Sequence, residues 1–200
     1  MDKPTLKNTY RPWIALFSQS GKEICDLAEH FGRWPDLIVT NNLHSFRWDR
    51  RLCELVYIPN GPFKFITIHD VLTANYYEAF NYWSCKPQFQ SPLITLHGWL
   101  KIVPAQICNE YEIYNGHPGL IHPDYSPELA GKDPQQRVWH NREKYKVIGS
   151  VVHRVTPVVD GGKIMTFSAV SNECKTEQEV FDKLRETSIK AWIDFLGTVL

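Results

Sequence analysis

The apolar run Trp13-Ile14-Ala15-Leu16-Phe17 leads directly into the polar segment Ser18-Gln19-Ser20-Gly21-Lys22-Glu23. A continuous apolar run of this length is typical of a strand that is buried on both faces of a parallel sheet. Apolar residues then recur at helical spacing up to Gly32, which is a suitable C-terminal stop for a helix. Leu37-Ile38-Val39-Thr40 indicates a second buried strand, so residues 13–40 predict a strand–loop–helix–strand unit.

The rest of the chain continues this alternation. We expect helices over residues 43–52, 69–83, 104–111, 137–145 and 176–196. We expect strands near 55–58 and over 93–96, 112–115, 148–155 and 163–170. The last helix has a plausible capping box formed by Thr176 and Glu179. Together these elements predict an α/β fold: a Rossmann-like, open, twisted and mostly parallel sheet with helices on both faces. We expect one domain over residues 1–200, with 1–11 as a flexible or loosely packed lead-in.

Composition excludes several classes of protein. The 22 basic and 22 acidic residues balance, which argues against a large nucleic-acid interface. The five cysteines are widely spread without a Cys-x-x-Cys pair, so we expect reduced thiols in a cytoplasmic protein and no zinc ribbon. No apolar run approaches the ~18 residues of a membrane span. The eight histidines lack the i, i+4 spacing of a helical zinc site, so we expect no metal.

An amide, an imidazole and a carboxylate follow predicted strands. Asn115 and His117 occupy alternate positions of an extended segment, so their side chains point the same way. Asn115 could donate a hydrogen bond to an oxyanion, and His117 could move a proton near neutral pH. Asn-Gly, His-Pro and Asp160-Gly161-Gly162 are also ordinary turn sequences, so a purely structural role is the alternative. His153 alternates with valines and is expected to be a core histidine.

The first loop is a candidate phosphate site. Backbone N–H groups at a helix N-terminus attract anions, and a basic side chain there would add to the attraction. The residues concerned are Ser18, Gln19, Ser20, Gly21 and Lys22. The alternative is a serine-capped helix without a ligand. In an open α/β sheet ligands bind beyond the carboxyl ends of the strands, so this loop, Asn115 and His117 are expected to share one cleft.

The chain resembles the folate-dependent formyltransferases typified by glycinamide ribonucleotide (GAR) formyltransferase, from about Trp13 to Leu196. The resemblance rests on Asn115-Gly116-His117-Pro118 and on Val159-Asp160-Gly161-Gly162, which match that family's Asn-x-His-Pro and Leu-Asp-Gly-Gly motifs. Gly98-Trp99-Leu100-Lys101-Ile102-Val103 and the segment 149–153 also match, in the same order. The resemblance implies the formyltransferase fold, a role in one-carbon metabolism and purine nucleotide biosynthesis, and 10-formyltetrahydrofolate as the formyl donor.

The resemblance also implies roles for individual residues. Asn115 would donate to the oxyanion of the tetrahedral intermediate, His117 would assist proton transfer, and Asp160 would tune His117. The folate would be held by Leu100, Lys101, Ile102, Val103, Thr156 and Val159, with Lys101 near its tail. The acceptor, a phosphorylated amine, would contact Pro118, Arg185 and Ser188. Where the family has a glutamate for the ribose hydroxyls of GAR, an ungapped count gives Ser188, so we expect a non-standard acceptor pocket.

Several alternatives remain open at this point. The acceptor could be another amine nucleotide or an amino sugar instead of GAR. Water could replace the amine, which would make the protein a 10-formyltetrahydrofolate hydrolase. A non-catalytic fold-mate that binds folate or a nucleotide is the third alternative. A formyl-methionyl-tRNA version is less favoured, because it needs an RNA-contacting domain and a basic surface.

Overall fold

The computed structural model describes residues 11–42, 44–56, 65–67 and 91–200. The helix predicted over residues 69–83 lies outside the described residues, as do residues 1–10 of the expected lead-in.

The described strands form one seven-stranded sheet. They are β1 (Trp13–Phe17), β2 (Leu37–Thr40), β3 (Phe65–Thr67), β4 (Leu93–His97), β5 (Ile113–His117), β6 (Val147–Arg154) and β7 (Ile164–Ser171). Their order across the sheet is β3-β2-β1-β4-β5-β6-β7. β1 to β5 are parallel, whereas β6 returns antiparallel to β5 and β7 antiparallel to β6. The predicted mostly parallel open sheet is confirmed.

The described α-helices are α1 (Lys22–Phe31), α2 (Arg50–Val56), α3 (Ala105–Glu110), α4 (Pro134–His140) and α5 (Glu177–Val199), and short 3-10 helices form at Ser45–Arg47 and Pro127–Leu129. Three predictions near them differ from the structure. Leu55 and Val56, predicted to start a strand, belong to α2, which starts at Arg50 and not at residue 43. The helix predicted over 137–145 starts at Pro134, whose fixed φ suits a first helical turn, and ends at His140.

Helices cover both faces of the sheet. Trp13, Ala15 and Phe17 of β1 point to the face on which α1 and α5 pack. Ile14 and Leu16 of the same strand point to the opposite face, which α3 covers. Because β1 is apolar at every position, both faces bury it completely, as the sequence predicts.

The N-terminus of α5 has the predicted capping box in a slightly displaced form. The Thr176 hydroxyl accepts a hydrogen bond from the Glu179 N–H at 3.2 Å. The Glu179 carboxylate reaches back to the N–H of Lys175 at 2.7 Å, one residue before the cap. Such caps satisfy N–H groups that have no partner within the helix. The cap fixes the start of α5, and the buried Ala191, Trp192 and Phe195 near its other end pack on the sheet.

A cleft follows from the strand order. The chain runs outward from β1 to β2 and β3 and then returns to β4 on the other side of β1. The loops after β1 and β4 therefore leave the sheet in opposite directions, which opens a crevice at their carboxyl ends. Gly98 directly follows β4 with a φ of 60°, in the left-handed region that glycine adopts easily.

Adding one methyl group to a glycine tests the packing of β6 against β7. A Cβ on Gly149 would lie 2.0 Å from the backbone oxygen of Ser168, whereas a Cβ on Gly197 of α5 would meet nothing within 4 Å. We expect Gly149→Ala to lower the free energy of unfolding by at least about 2 kcal/mol, because backbone must move. Gly197→Ala should leave it unchanged or raise it by up to about 1 kcal/mol. Urea unfolding measures both, and equal effects would contradict the register of β6 and β7.

Candidate active site

Asn115 lies directly opposite His153 in the antiparallel pair of β5 and β6. Opposite residues of such a pair project on the same face, and the Asn115 Nδ2 is 3.2 Å from the His153 Nε2. The His153 Nδ1 lies 3.0 Å from the carbonyl oxygen of Arg154. Because a carbonyl only accepts, Nδ1 carries the hydrogen in neutral His153, and Nε2 accepts from Asn115. One amide hydrogen of Asn115 is thereby used, and the second has no partner among the residues that the structure describes.

His117, two residues further along β5, is held in one tautomer. Its Nε2 donates to the carbonyl oxygen of Leu129 at 3.0 Å, so the neutral ring has its lone pair on Nδ1. Nδ1 lies 3.4 Å from Oδ2 of Asp160. The imidazole is buried, with only about 5% of the residue exposed. The proton-accepting nitrogen of His117 therefore faces a carboxylate.

Asp160 lies in the tight turn between β6 and β7. Its φ of 51° is in the left-handed region, and a Cβ on Gly162 would lie 1.7 Å from the backbone oxygen of Arg154. Only glycine permits such a close approach, which explains the Asp-Gly-Gly sequence physically. The turn aims Oδ1 of Asp160 at His153 Nε2, 3.4 Å away, and Oδ2 accepts from the N–H of Gly131 at 2.8 Å. The carboxylate thus bridges the two histidines.

The electrostatics of this cluster follow from burial and charge. Burial lowers the pKa of His117, and the negative Asp160 and the Leu129 carbonyl oppose this shift in part. For Asp160, burial would raise the pKa, but the contact with His153, the positive charge that His117 carries when protonated and the Gly131 N–H outweigh it. They bring the pKa of Asp160 to about 2. Asp160 is therefore ionised at neutral pH, and His117 is neutral and ready to accept a proton.

Of the residues singled out in the sequence, the structure brings Asn115, His117 and Asp160 together through His153. The expectation that His153 is only a core histidine missed its contacts, although it is buried as expected. The alternation of His153 with valines correctly indicates that it lies in a strand. The sequence does not indicate which strand pairs with β6. Because β6 pairs antiparallel with β5, His153 lies opposite Asn115.

The candidate phosphate loop has features that favour binding of an anion and one that opposes it. Gly21 caps α1 in the left-handed conformation, and the N–H of Lys22 points to the Ser20 hydroxyl at 3.4 Å. Ser18 accepts a hydrogen bond from the N–H of Leu100, which ties this loop to the loop after β4. Gln19 and Lys22 are exposed. The first turn of α1 also contains Glu23, whose negative charge competes with an anionic ligand for the helix N-terminus.

The candidate acceptor residues on α5 are engaged by α1. The Ser188 hydroxyl donates to Oε1 of Glu23 at 2.6 Å, and Oε2 of Glu23 contacts His97 Nδ1 at 2.7 Å. Arg185 forms an ion pair with Asp26. Both residues therefore connect α5 to α1, while Pro118 is half-buried directly after β5.

The residues expected at the folate site differ in exposure. Leu100 and Ile102 are 68% and 75% exposed and flank the exposed Lys101, and Val159 is also exposed. Thr156 is half-buried, and its hydroxyl donates to the carbonyl oxygen of Val158. Val103 instead packs in the core beside Ile107 of α3, so its side chain does not face the open loop.

The described part of the chain contains neither a candidate metal-binding group nor a candidate membrane-spanning helix. No group of three or more histidine, cysteine, aspartate or glutamate side chains there is arranged to hold a metal ion. No described helix has the length and apolar character needed to cross a membrane.

This site combines an amide hydrogen donor, a neutral imidazole and an ionised carboxylate at the strand ends of an α/β sheet. Acyl transfer uses such groups, because it needs an oxyanion donor and a proton acceptor. A family model described as formyl transferase matches residues 62–196, which is more than half of the chain. The chain belongs to the formyl transferase family. The expected family resemblance is confirmed.

Solved structures share the fold. Phosphoribosylglycinamide formyltransferase from Campylobacter jejuni is 18% identical, with 96% of this chain and 99% of that chain covered and a TM-score of 0.74. The enzyme of that name from Anaplasma phagocytophilum is 18% identical, with 94% and 86% covered and a TM-score of 0.73. A formyltetrahydrofolate deformylase from Pseudomonas syringae is 16% identical, with 94% and 60% covered and a TM-score of 0.70. A search of the curated proteins found no match.

Replacing Asp160 by asparagine tests the bridge between the histidines. The folded pKa of Asp160 is about 2 against an ordinary 3.8, so its ionisation favours the folded state above pH 4. That contribution, about 2 kcal/mol, is lost as the pH falls from about 4 to 2. We expect Asp160→Asn to be less stable than wild type at pH 5–7, and the difference to shrink towards pH 2. Urea unfolding at several pH values measures it.

Asp194→Asn is the control for this variant, because Asp194 is exposed on α5. A free energy of unfolding for Asp160→Asn that equals the wild-type value at pH 5–7 would contradict the bridge.

Proposed function

We propose that this protein transfers the formyl group of 10-formyltetrahydrofolate to the amine of a phosphorylated small molecule, with Asn115, His117 and Asp160 as its catalytic residues. The observation that carries the proposal is the Asp160 carboxylate held 3.4 Å from a nitrogen of both His117 and His153, with Asn115 fixed by His153. This arrangement supplies one free hydrogen-bond donor and one proton acceptor on the same side of β5.

The free amide hydrogen of Asn115 suits the oxyanion. When the acceptor amine attacks the formyl carbon, a carbon–nitrogen bond forms and negative charge develops on the formyl oxygen. A donor fixed before the reaction stabilises this charge without reorganisation. The contact with His153 fixes the Asn115 amide, so its second hydrogen keeps a defined direction. Asn115 is therefore the proposed oxyanion donor.

His117 suits the proton transfer. The attacking amine must lose a proton, and N10 of the folate must gain one when its bond to the formyl carbon breaks. Nδ1 of His117 has the lone pair that accepts the proton, and the adjacent Asp160 stabilises the resulting imidazolium. The same proton then returns to N10, so the step balances with no further reactant.

The donor and acceptor ends of the site differ in the contacts that their residues already make. The exposed Leu100 and Ile102 provide apolar surface for the pteridine, with Thr156 and Val159 near the Asp160 turn. On the acceptor side, Ser188 and Arg185 are already paired with Glu23 and Asp26. GAR is one candidate acceptor, and these pairings support an acceptor held differently from GAR in its family.

Asn115→Ala tests the proposal. Without the oxyanion donor we expect kcat for formyl transfer to fall by about 10²–10³. The assay follows deformylated folate from 10-formyltetrahydrofolate with GAR, other amine nucleotides and amino sugars as acceptors. Asn109→Ala, which removes an exposed amide at the end of α3, is the matched control and should keep wild-type kcat.

Reactions without any acceptor separate transfer from hydrolysis. Folate release that requires an amine supports transfer, whereas equal release without an amine would identify a hydrolase. Unchanged kcat in Asn115→Ala would refute the proposed role of this residue.

A further inference from the structure

Arg137, in α4, binds the backbone of a loop segment through its guanidinium. Nη1 donates to the carbonyl oxygen of Glu128 at 2.8 Å, and Nη2 donates to those of Leu129 at 2.6 Å and Ala130 at 2.9 Å. A guanidinium presents several N–H groups in a fixed plane and keeps its charge at physiological pH, so it is suited to such contacts. Three consecutive carbonyl groups are therefore tied to one side chain of α4.

The same segment supplies two contacts to the candidate active site. The carbonyl oxygen of Leu129 accepts from Nε2 of His117 at 3.0 Å, and the N–H of Gly131 donates to Oδ2 of Asp160 at 2.8 Å. The segment thus lies between the arginine of α4 and two candidate catalytic side chains. Any movement of the segment would change the hydrogen bonds of both side chains together.

The Nε2 edge of the His117 ring is enclosed. A Cβ on Gly119 would lie 3.0 Å from Nε2 of His117 and 3.1 Å from the Cβ of Pro134, the first residue of α4. The side chain of Leu129 is buried as well. Because Nε2 faces backbone and packed residues, Nδ1, on the side of Asp160, is the nitrogen that can exchange a proton with a ligand.

The Leu129 carbonyl is shared between two donors. Arg137 and His117 both bind its oxygen, which has two lone pairs and can accept from each. Burial is the largest cause of the lowered pKa of His117, and the charges of Arg137 and of a protonated His153 act in the same direction. Asp160 and the Leu129 carbonyl act in the opposite direction. The arginine thus favours a neutral ring whose hydrogen is on Nε2 and whose lone pair is on Nδ1.

We propose that Arg137 is a positioning residue for proton transfer by His117. Through residues 128–131 it holds a carbonyl oxygen on Nε2 of His117 and an N–H on Asp160, so the lone pair of Nδ1 keeps its place in the site. The described hydrogen bonds of Arg137 all go to backbone oxygens, so it acts through this segment and not on a ligand. This inference rests on the proposed function, because it assigns a further residue to the proton transfer of the same site.

The tautomer of His117 tests the inference without turnover. NMR of the full chain with isotope-labelled histidine rings distinguishes a hydrogen on Nε2 from one on Nδ1, and the signal missing in His117→Gln assigns the residue. In the wild type we expect neutral His117 with its hydrogen on Nε2 alone. Arg137→Met removes the charge and all the donors at similar length, and we expect it to show both tautomers. Arg137→Lys, which keeps the charge and a donor, should restore most of the wild-type signal.

Kinetics provide the second readout. We expect kcat for formyl transfer to fall by about tenfold or more in Arg137→Met, since a displaced catalytic group loses its alignment. KM for 10-formyltetrahydrofolate should change less than about twofold, because no contact with the ligand is removed. Arg137→Gln, which keeps one donor without the charge, replaces Arg137→Met in both measurements if the latter does not fold.

Arg142→Met is the matched control. It removes an equal charge from an exposed residue just beyond α4, whose guanidinium lies over the Trp139 ring. This variant should match the wild type in the tautomer of His117 and in kcat.

Two results would overturn the inference. They are an Arg137→Met protein that keeps the wild-type tautomer and kcat, whatever its stability, and equal changes in Arg142→Met. A mixed tautomer in Arg137→Met, together with a wild type that transfers no formyl group to any amine, would refute the proposed function but not the positioning of His117. Formyl transfer by the wild type, with Arg137→Met unchanged in tautomer and kcat, would refute this inference alone.

Discussion

The carboxylate of Asp160 is the group on which the candidate active site depends. It contacts nitrogens of His117 and His153 on its two oxygens, and Gly131 supplies a further N–H. Without this charge, Nδ1 of His117 and Nε2 of His153 would have no nearby anion to stabilise a proton on either ring. The left-handed backbone at Asp160 and the close approach at Gly162 are the structural requirements for placing it.

The antiparallel direction of β6 brings His153 and Asp160 close to Asn115 and His117 of β5. In a fully parallel sheet the neighbour of β5 would run in the same direction, and its following turn would lie elsewhere. Here β6 starts away from the site and brings His153 opposite Asn115 before the chain turns at Asp160. The parallel strands β1 and β4 supply the adjoining loops, including Ser18 and Leu100. The candidate active site and the loops after β1 and β4 thus lie along one edge of the sheet.

Much of the fold was predictable from local patterns, because β1, β2 and β4 are apolar runs and α1 and α5 have recognisable ends. The sequence also singles out Asn115, His117 and Asp160 as candidates, since strand-end position and residue type both point to chemistry, and the structure places the three close together. His153 is not singled out, because its role depends on which strand pairs with β6. The pairing of Ser188 with Glu23 is a tertiary contact between distant segments, so no local pattern indicates it.

In the proposed mechanism, the free amide hydrogen of Asn115 and Nδ1 of His117 face the formyl group. A crystal structure of the protein with a non-transferring analogue of 10-formyltetrahydrofolate would show this geometry. We expect the formyl oxygen at hydrogen-bond distance, about 2.7–3.2 Å, from Asn115 Nδ2, with His117 beside the formyl carbon. A formyl oxygen that contacts neither residue, in a fully occupied site, would refute the proposed mechanism.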